Sequence, residues 1–351
     1  MIRQECFTKE WIQKVAADLQ YPDVNLIEKV IRAFSLVELL SNSGCPYIWK
    51  GGTALMILLG GTRHRLSIDV DIICPPGTDI EAYLQDFQKY GFDDVETVER
   101  IQRGTNIPKS HSKFFYRLAF RDNGAKPGNI LLDVLFEDSH YHKTQRLPLT
   151  SPFIEIDGTP VTVNLPSVDD ILGDKLTAFA PNTSGIPYIK NGNDCNLEII
   201  KQLYDIGRLF DNMNSLATVA DAYDRISRVE LSYRRMEENP TLALQDTRET
   251  SLCLSTRGFA GNGDFAALQN GVSRLRSFMY LGKYQIEQAT ADAAKAAYLA
   301  TLLEKGATAF EKYNGVIDGL MIPDSLPVKL GKLRLPSPEA YFYWVKTGEL
   351  L

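Results

Sequence analysis

Two aspartates separated by one residue, Asp69 and Asp71, end the segment Arg65-Leu66-Ser67-Ile68-Asp69-Val70-Asp71. On a strand, side chains at i and i+2 point to one face with Cα atoms ~6.5 Å apart, so this stretch sets two anions side by side. Their repulsion is costly unless a cation intervenes. Mg²⁺ takes oxygen ligands and is characteristically held by one or two carboxylates together with substrate phosphates. Upstream, Lys50-Gly51-Gly52-Thr53 leads into an apolar stretch of helical character. Glycines let backbone N–H groups approach a phosphate, and the helix that follows presents the positive end of its dipole. The Thr53 hydroxyl can donate to a phosphate oxygen. Either half alone describes an ordinary loop or a solvated strand; together they describe a site for a metal-bound triphosphate.

Three further residues sit where their types are unusual. Asp133 lies inside Ile130-Leu131-Leu132-Asp133-Val134-Leu135-Phe136. A charge buried in so apolar a strand needs compensation. Asp133 is then either a third carboxylate of the metal site, as ligand or as base for an attacking hydroxyl, or half of a salt bridge to an arginine such as Arg117. Lys175 falls in the middle of the apolar helical face formed by Val168, Ile171, Leu172 and Phe179. A lysine aimed inward either snorkels out or meets an anion, here a triphosphate or a carboxylate of the site. Arg65 either clamps phosphate oxygens with its forked guanidinium or pairs with Asp69 or Asp71.

The elements that must position these groups are legible from periodicity. Leu26, Val30, Ala33, Phe34, Val37 and Leu40 share one helical stripe, ended by Ser43-Gly44. Residues 47–50, 68–74, 114–120 and 130–136 read as strands. Asp157-Gly158 between two apolar stretches, 153–156 and 161–163, predicts a hairpin. After Leu165 the pattern turns helical, beginning at Ser167 with Asp170 in the capping-box position. It stays helical to about residue 317. The proline-rich tail from Met321 ends in Tyr341, Phe342, Tyr343 and Trp344, which predicts docking on the body of the protein.

The 351 residues are 44% hydrophobic and 23% charged, with a net charge of −6. This composition belongs to soluble globular chains and argues against a general nucleic-acid coat. Five scattered cysteines without CxxC spacing argue against a disulfide framework or a structural zinc site. The polar beginning and the short apolar runs predict neither a signal peptide nor a membrane span, hence a cytoplasmic location. Gly258, Gly261 and Gly263 do not form a dinucleotide-binding fingerprint. His140 and His142 lack an evident third ligand, and Arg225, Arg228, Arg234 and Arg235 read as a solvated helix face.

The motifs KGGTAL (50–55), RLSIDVD (65–71), ILLDVLF (130–136), LGDKLTAF (172–179) and IIKQLYDIGRLF (199–210) together resemble the AbiE-type toxin nucleotidyltransferases of the polymerase-β-like superfamily. The family includes toxins of type IV toxin–antitoxin and abortive-infection systems. The resemblance implies an α+β fold, a mixed-sheet core with helices followed by a mostly helical C-terminal region. It implies Mg²⁺ on Asp69 and Asp71, phosphate held by Gly52 and Thr53, and an NTP contact from Lys175; the candidate site read from the residues adds Asp133 to the metal pair and Gly51, Arg65 and Ser67 to the nucleotide contacts. The resemblance also implies a catalytic role for Asp205. The helical pattern itself puts Asp205 opposite the apolar face of Ile199, Leu203, Ile206 and Phe210, as an exposed i,i+4 partner of Lys201. The family commonly has Arg-Asp where this chain has Lys201-Gln202. The organisation expected is a nucleotidyltransferase domain over 1–212, a helical acceptor-binding domain over 213–320 and the docking tail over 321–351. The activity expected is that of a toxin component transferring a nucleotide from an NTP to tRNA or another macromolecular acceptor, RNA foremost, with a cognate antitoxin as partner. The alternatives are a non-catalytic nucleotide- or RNA-binding module and a housekeeping or small-molecule nucleotidyltransferase.

Overall fold

The apolar stripe from Leu26 to Leu40 becomes a helix of 19 residues, Val24–Asn42, capped by the Asp23 carboxylate on the Leu26 N–H. It is the spine of the first of two compact units in a computed structural model that describes residues 1–60, 65–99, 109–120 and 126–351. The units are Met1–Ser167 with Tyr280–Gly282, and Val168–Met279 with Lys283–Leu351. In the first, the order is α1 (Lys9–Asp18), α2 (Val24–Asn42), β1 (Ile48–Lys50), α3 (Gly51–Leu58), β2 (Val70–Cys74), α4 (Ile80–Tyr83), β3 (Asp94–Glu99), β4 (Lys109–Tyr116), β5 (Gly128–Phe136), β6 (Thr144–Pro148) and β7 (Thr162–Pro166). The second contains α5 (Val168–Ala178), α6 (Asn196–Asn212), α7 (Leu216–Tyr233), α8 (Pro240–Thr256), α9 (Phe265–Leu275), α10 (Ile286–Glu304) and α11 (Pro338–Leu350).

Five strands form one mixed sheet in the order β1-β2-β5-β4-β3, parallel between β2 and β5 and antiparallel elsewhere. Alternation decides which face is covered. Val70, Ile72 and Cys74 of β2, Ile130, Leu132 and Val134 of β5, and Phe114 and Tyr116 of β4 are all buried, and α2 packs against β2 and β5. Unlike the single stripe expected, α2 is buried on nearly every side. Its polar residues are consequently bonded: Glu28 accepts from the Ala119 N–H, Arg32 donates to the Gly91 carbonyl, and Glu38 accepts from the Ile2 N–H at 2.9 Å.

Two strand expectations change. β4 begins at Lys109, because Ser110 and Ser112 are small enough to be buried while Lys109, His111 and Lys113 point the other way. The hairpin expected around Asp157-Gly158 is not formed. Residues 155–157 instead meet the beginning of the chain: Arg3 N–H donates to the Glu155 carbonyl, Asp157 N–H donates to the Met1 carbonyl, and Ile2 bridges Ile156. The partner of β7 is β6, paired antiparallel from Thr144 against Pro166 to Pro148 against Thr162.

In the second unit α5 packs on α6 and α7, and α10 packs on α6, α8 and α11. By packing the chain therefore divides at Ser167, where the helical pattern starts, and not at residue 212. The tail residues Tyr341, Phe342, Tyr343 and Trp344 are buried in α11, and the Trp344 indole donates to the Ser255 hydroxyl at 3.0 Å. Among the described residues no helix is long and apolar enough to cross a membrane.

Burial pushes the Glu38 carboxyl above the usual carboxylate range, against the opposing pull of the Ile2 N–H and the chain's amino terminus. The native state thus binds the Glu38 proton more tightly than the unfolded chain, so Glu38 contributes more stability below the unfolded carboxylate range than at neutral pH. Glu38→Gln keeps an acceptor for Ile2 and removes the charge. Urea denaturation at pH 7 and pH 4 should find the variant's stability relative to wild type greater at pH 7 than at pH 4.

Candidate active site

Register builds one row of polar side chains across the sheet. Lys50 of β1 lies opposite Asp71 of β2, Asp71 lies beside Asp133 of β5, and Asp133 lies opposite His111 of β4. Residues paired in this way share a face, and here it is the face away from α2. The Asp133 side chain is 38% exposed and that of His111 30%. Asp133 is therefore not sunk in the apolar interior as its neighbours suggested; alternation puts Leu132 and Val134 inside and Asp133 on the open face. Its partner is His111, whose Nδ1 contacts Asp133 Oδ1. His111 was not among the expected residues. The signal was the alternation Lys109-Ser110-His111-Ser112-Lys113, which marks a strand with a basic face.

The glycine turn is packed directly onto this row. Gly51 has φ +78°, a left-handed conformation that disfavours side chains, and a Cβ there would fall 2.1 Å from Asp71 Oδ2. A Cβ on Gly52 would fall 2.5 Å from Ser67 Oγ and 2.9 Å from Arg65 Nη2. Gly51, Gly52, Arg65, Ser67 and Asp71 are thus brought together at the N-terminus of α3. Arg65 is buried, with Nη1 donating to the Leu66 carbonyl at 3.1 Å. Thr53 departs from expectation. It is fully buried and its hydroxyl donates to the Asp69 backbone carbonyl at 2.5 Å. Its proton is committed to holding the chain just before β2, which starts at Val70 and leaves Asp69 as the residue leading into the strand.

Among the described residues no group of three or more His, Cys, Asp or Glu side chains is arranged to hold a metal ion. The donors that are present are nevertheless hard oxygen ligands: Asp69 and Asp71 flank Val70, and Asp71 and Asp133 are neighbours across about 4.8 Å of parallel sheet. One or two carboxylates completed by substrate phosphates is the arrangement Mg²⁺ takes, and this donor set fits it.

In the second unit Lys175 is buried, as its place on α5 implies, and its ammonium donates to Gln202 Oε1 at 2.8 Å and pairs with Asp205 Oδ2 at 3.3 Å. Asp205 is completely buried. The exposed Lys201–Asp205 pair expected from the helical pattern is overturned, because α6 is covered on most of its circumference, from Leu197 through Phe210. Gln202 is thus a hydrogen-bond partner of the lysine. Arg225 and Arg228 of α7 are paired with Asp221 and Asp224 one turn back, as a solvated face requires.

A family model for the nucleotidyl transferase AbiEii toxin of type IV toxin–antitoxin systems matches residues 36–269. The chain belongs to the AbiEii nucleotidyltransferase toxin family. The match spans both compact units, from the middle of α2 into α9. Among solved structures, MenT4, a nucleotidyltransferase toxin from Mycobacterium tuberculosis, is similar in fold, with a TM-score of 0.52 at 14% identity over 83% of this chain and 89% of that one. JHP933 from Helicobacter pylori aligns over 82% of this chain and 94% of that one at 16% identity, with a TM-score of 0.42. No curated protein sequence matches this one.

A buried ion pair broken on one side leaves an uncompensated charge, at a cost of about 3–5 kcal/mol. Lys175→Met should destabilise the protein by that order, and Lys175→Met combined with Asp205→Asn should recover most of the loss, as read by urea denaturation.

Proposed function

We propose that this AbiEii-family enzyme transfers a nucleoside monophosphate from an NTP to tRNA or another RNA, with Mg²⁺ held by Asp69 and Asp71, as the toxin of a type IV toxin–antitoxin pair whose antitoxin is a separate partner. The observation that carries the reading is the packing of Gly51 against Asp71 at the start of α3. It supports a triphosphate bound between a helix N-terminus and a carboxylate pair.

Bound Mg²⁺ would offset phosphate charge as it builds in the transition state. The chain's own groups account for the rest. The N–H groups of the Gly51-Gly52 turn face the phosphates, and Arg65 and Ser67 line that turn. Thr53 acts through Asp69, fixing the backbone from which its carboxylate projects. The acceptor hydroxyl oxygen forms a bond to the α-phosphorus, the bond from that phosphorus to the β-bridging oxygen breaks, and pyrophosphate leaves. Asp133, held by His111, is the third carboxylate, completing the ligand set or taking the hydroxyl's proton. Lys175 keeps the role the resemblance gives it, contact with the NTP, with Asp205 and Gln202 holding its ammonium in place.

The test is incubation with total RNA, Mg²⁺ and each α-labelled NTP in turn. Wild type should label RNA and release pyrophosphate from at least one NTP. Asp69→Asn and Asp71→Asn should each reduce labelling by about 10²–10³-fold or more with an unchanged circular dichroism spectrum, and the Lys175→Met/Asp205→Asn protein should fold without labelling. Absence of labelling across all four NTPs and a broad RNA pool, from a protein that is folded, contradicts the proposal.

A further inference from the structure

Strand β4 carries Lys109, His111 and Lys113 at alternate positions on the open face of the sheet, while Ser110, Ser112, Phe114 and Tyr116 are buried on the α2 face. The three basic residues lie opposite Leu135, Asp133 and Leu131 of β5, so the stripe crosses the end of the carboxylate row at His111. Glu96 of β3 lies opposite Lys113, yet among the described residues neither Lys109 nor Lys113 makes an ion pair within 4.0 Å. Phe115 continues the same face, half-buried. His111 uses Nδ1 on Asp133, and among the described residues its Nε2 has no partner.

We propose that Lys109, His111 and Lys113 form the surface that holds the phosphate backbone of a single-stranded RNA acceptor and delivers its terminal hydroxyl to the carboxylates. The inference rests on the transfer reading above and assigns the side from which the acceptor comes. Nucleotidyl transfer is an in-line displacement, with attacking and leaving oxygens on opposite sides of the phosphorus. The helix N-terminus and Gly51 lie on the β1–β2 side of Asp71, so the leaving pyrophosphate takes that side. The hydroxyl then enters from the β5–β4 side, over Asp133 and toward the basic stripe. Cations spaced ~6.8 Å apart along a strand meet successive phosphates of a polyanion, which a small neutral acceptor would not need. An aromatic ring beside a basic track is also how single strands are held without sequence preference.

The test measures binding of a fluorescent single-stranded RNA, without NTP, by anisotropy over a range of salt, for wild type, Lys109→Ala/Lys113→Ala and Lys109→Glu/Lys113→Glu, with NTP binding followed in parallel. Losing two phosphate contacts should weaken RNA binding ~10-fold or more and reduce the slope of log affinity against log salt by about 1.4. NTP affinity should stay unchanged, and in transfer assays the loss should fall on KM for RNA. RNA affinity and salt slope that do not move in folded variants overturn the proposal, as does a matching loss of NTP affinity, which would assign the lysines to the triphosphate. Wild type that fails to bind RNA also overturns it. Wild type that binds RNA through these lysines without labelling it supports this surface while contradicting the transfer reading. Labelling by both variants with unaltered KM does the reverse.

Discussion

Asp71 and Asp133 are like charges on adjacent parallel strands in register, a placement that backbone hydrogen bonding imposes and side-chain electrostatics opposes. Much of the first unit can be understood from that conflict. The row is flanked by a basic residue on either side, Lys50 on β1 and His111 on β4. The N-terminal end of α3 is packed so tightly against Asp71 that only glycine fits at residue 51. The strand cannot slip to relieve the repulsion, since a one-residue shift would bring Val70 and Ile72 out of the interior and Thr53 holds the carbonyl of Asp69. A site whose anions are fixed before substrate arrives suits a metal-bound triphosphate, because its charge is complementary and the protein need not reorganise to meet it.

How much of this could be read in the sequence depended on whether the deciding contact was local. The period of two in β2 and the Gly-Gly-Thr turn before α3 revealed the carboxylate pair and its neighbouring helix, because both are patterns within a few residues. Lys175 was found for the same reason: a cation at the centre of an apolar helical face has to be buried with a partner. The alternation around His111 marked a strand, but its pairing with Asp133 could not be read, because it depends on cross-strand register between residues 22 apart. Asp205 was misplaced because a helical pattern with one dominant apolar face implied a solvated opposite face, whereas α6 is packed by α5, α9 and α10. The Asp157-Gly158 hairpin failed because a turn signal says nothing of competitors, and residues 1–3 took the pairing positions.

The second unit shows the same use of buried charge. Beyond the Lys175–Asp205 pair, Arg208 of α6 donates to Asp292 of α10 at 2.8 Å, and the Tyr284 hydroxyl donates to the other oxygen of that carboxylate. A Cβ on Gly207 would fall 2.0 Å from Asp292, so glycine lets the two helices approach at that point. Asp205 therefore sits on a helix whose approach to α10 is set by a further polar contact one turn along α6.

The central claim is that Asp69 and Asp71 bind nucleotide through a divalent cation. Its most direct test is the affinity for a non-hydrolysable NTP with and without Mn²⁺, with bound Mn²⁺ counted by electron paramagnetic resonance. Wild type should bind the nucleotide far more tightly with the metal and take up Mn²⁺ only alongside it, and Asp69→Asn/Asp71→Asn should lose both effects while keeping its fold. Nucleotide binding that is indifferent to the metal, or Mn²⁺ uptake that survives in the double variant, would contradict the account.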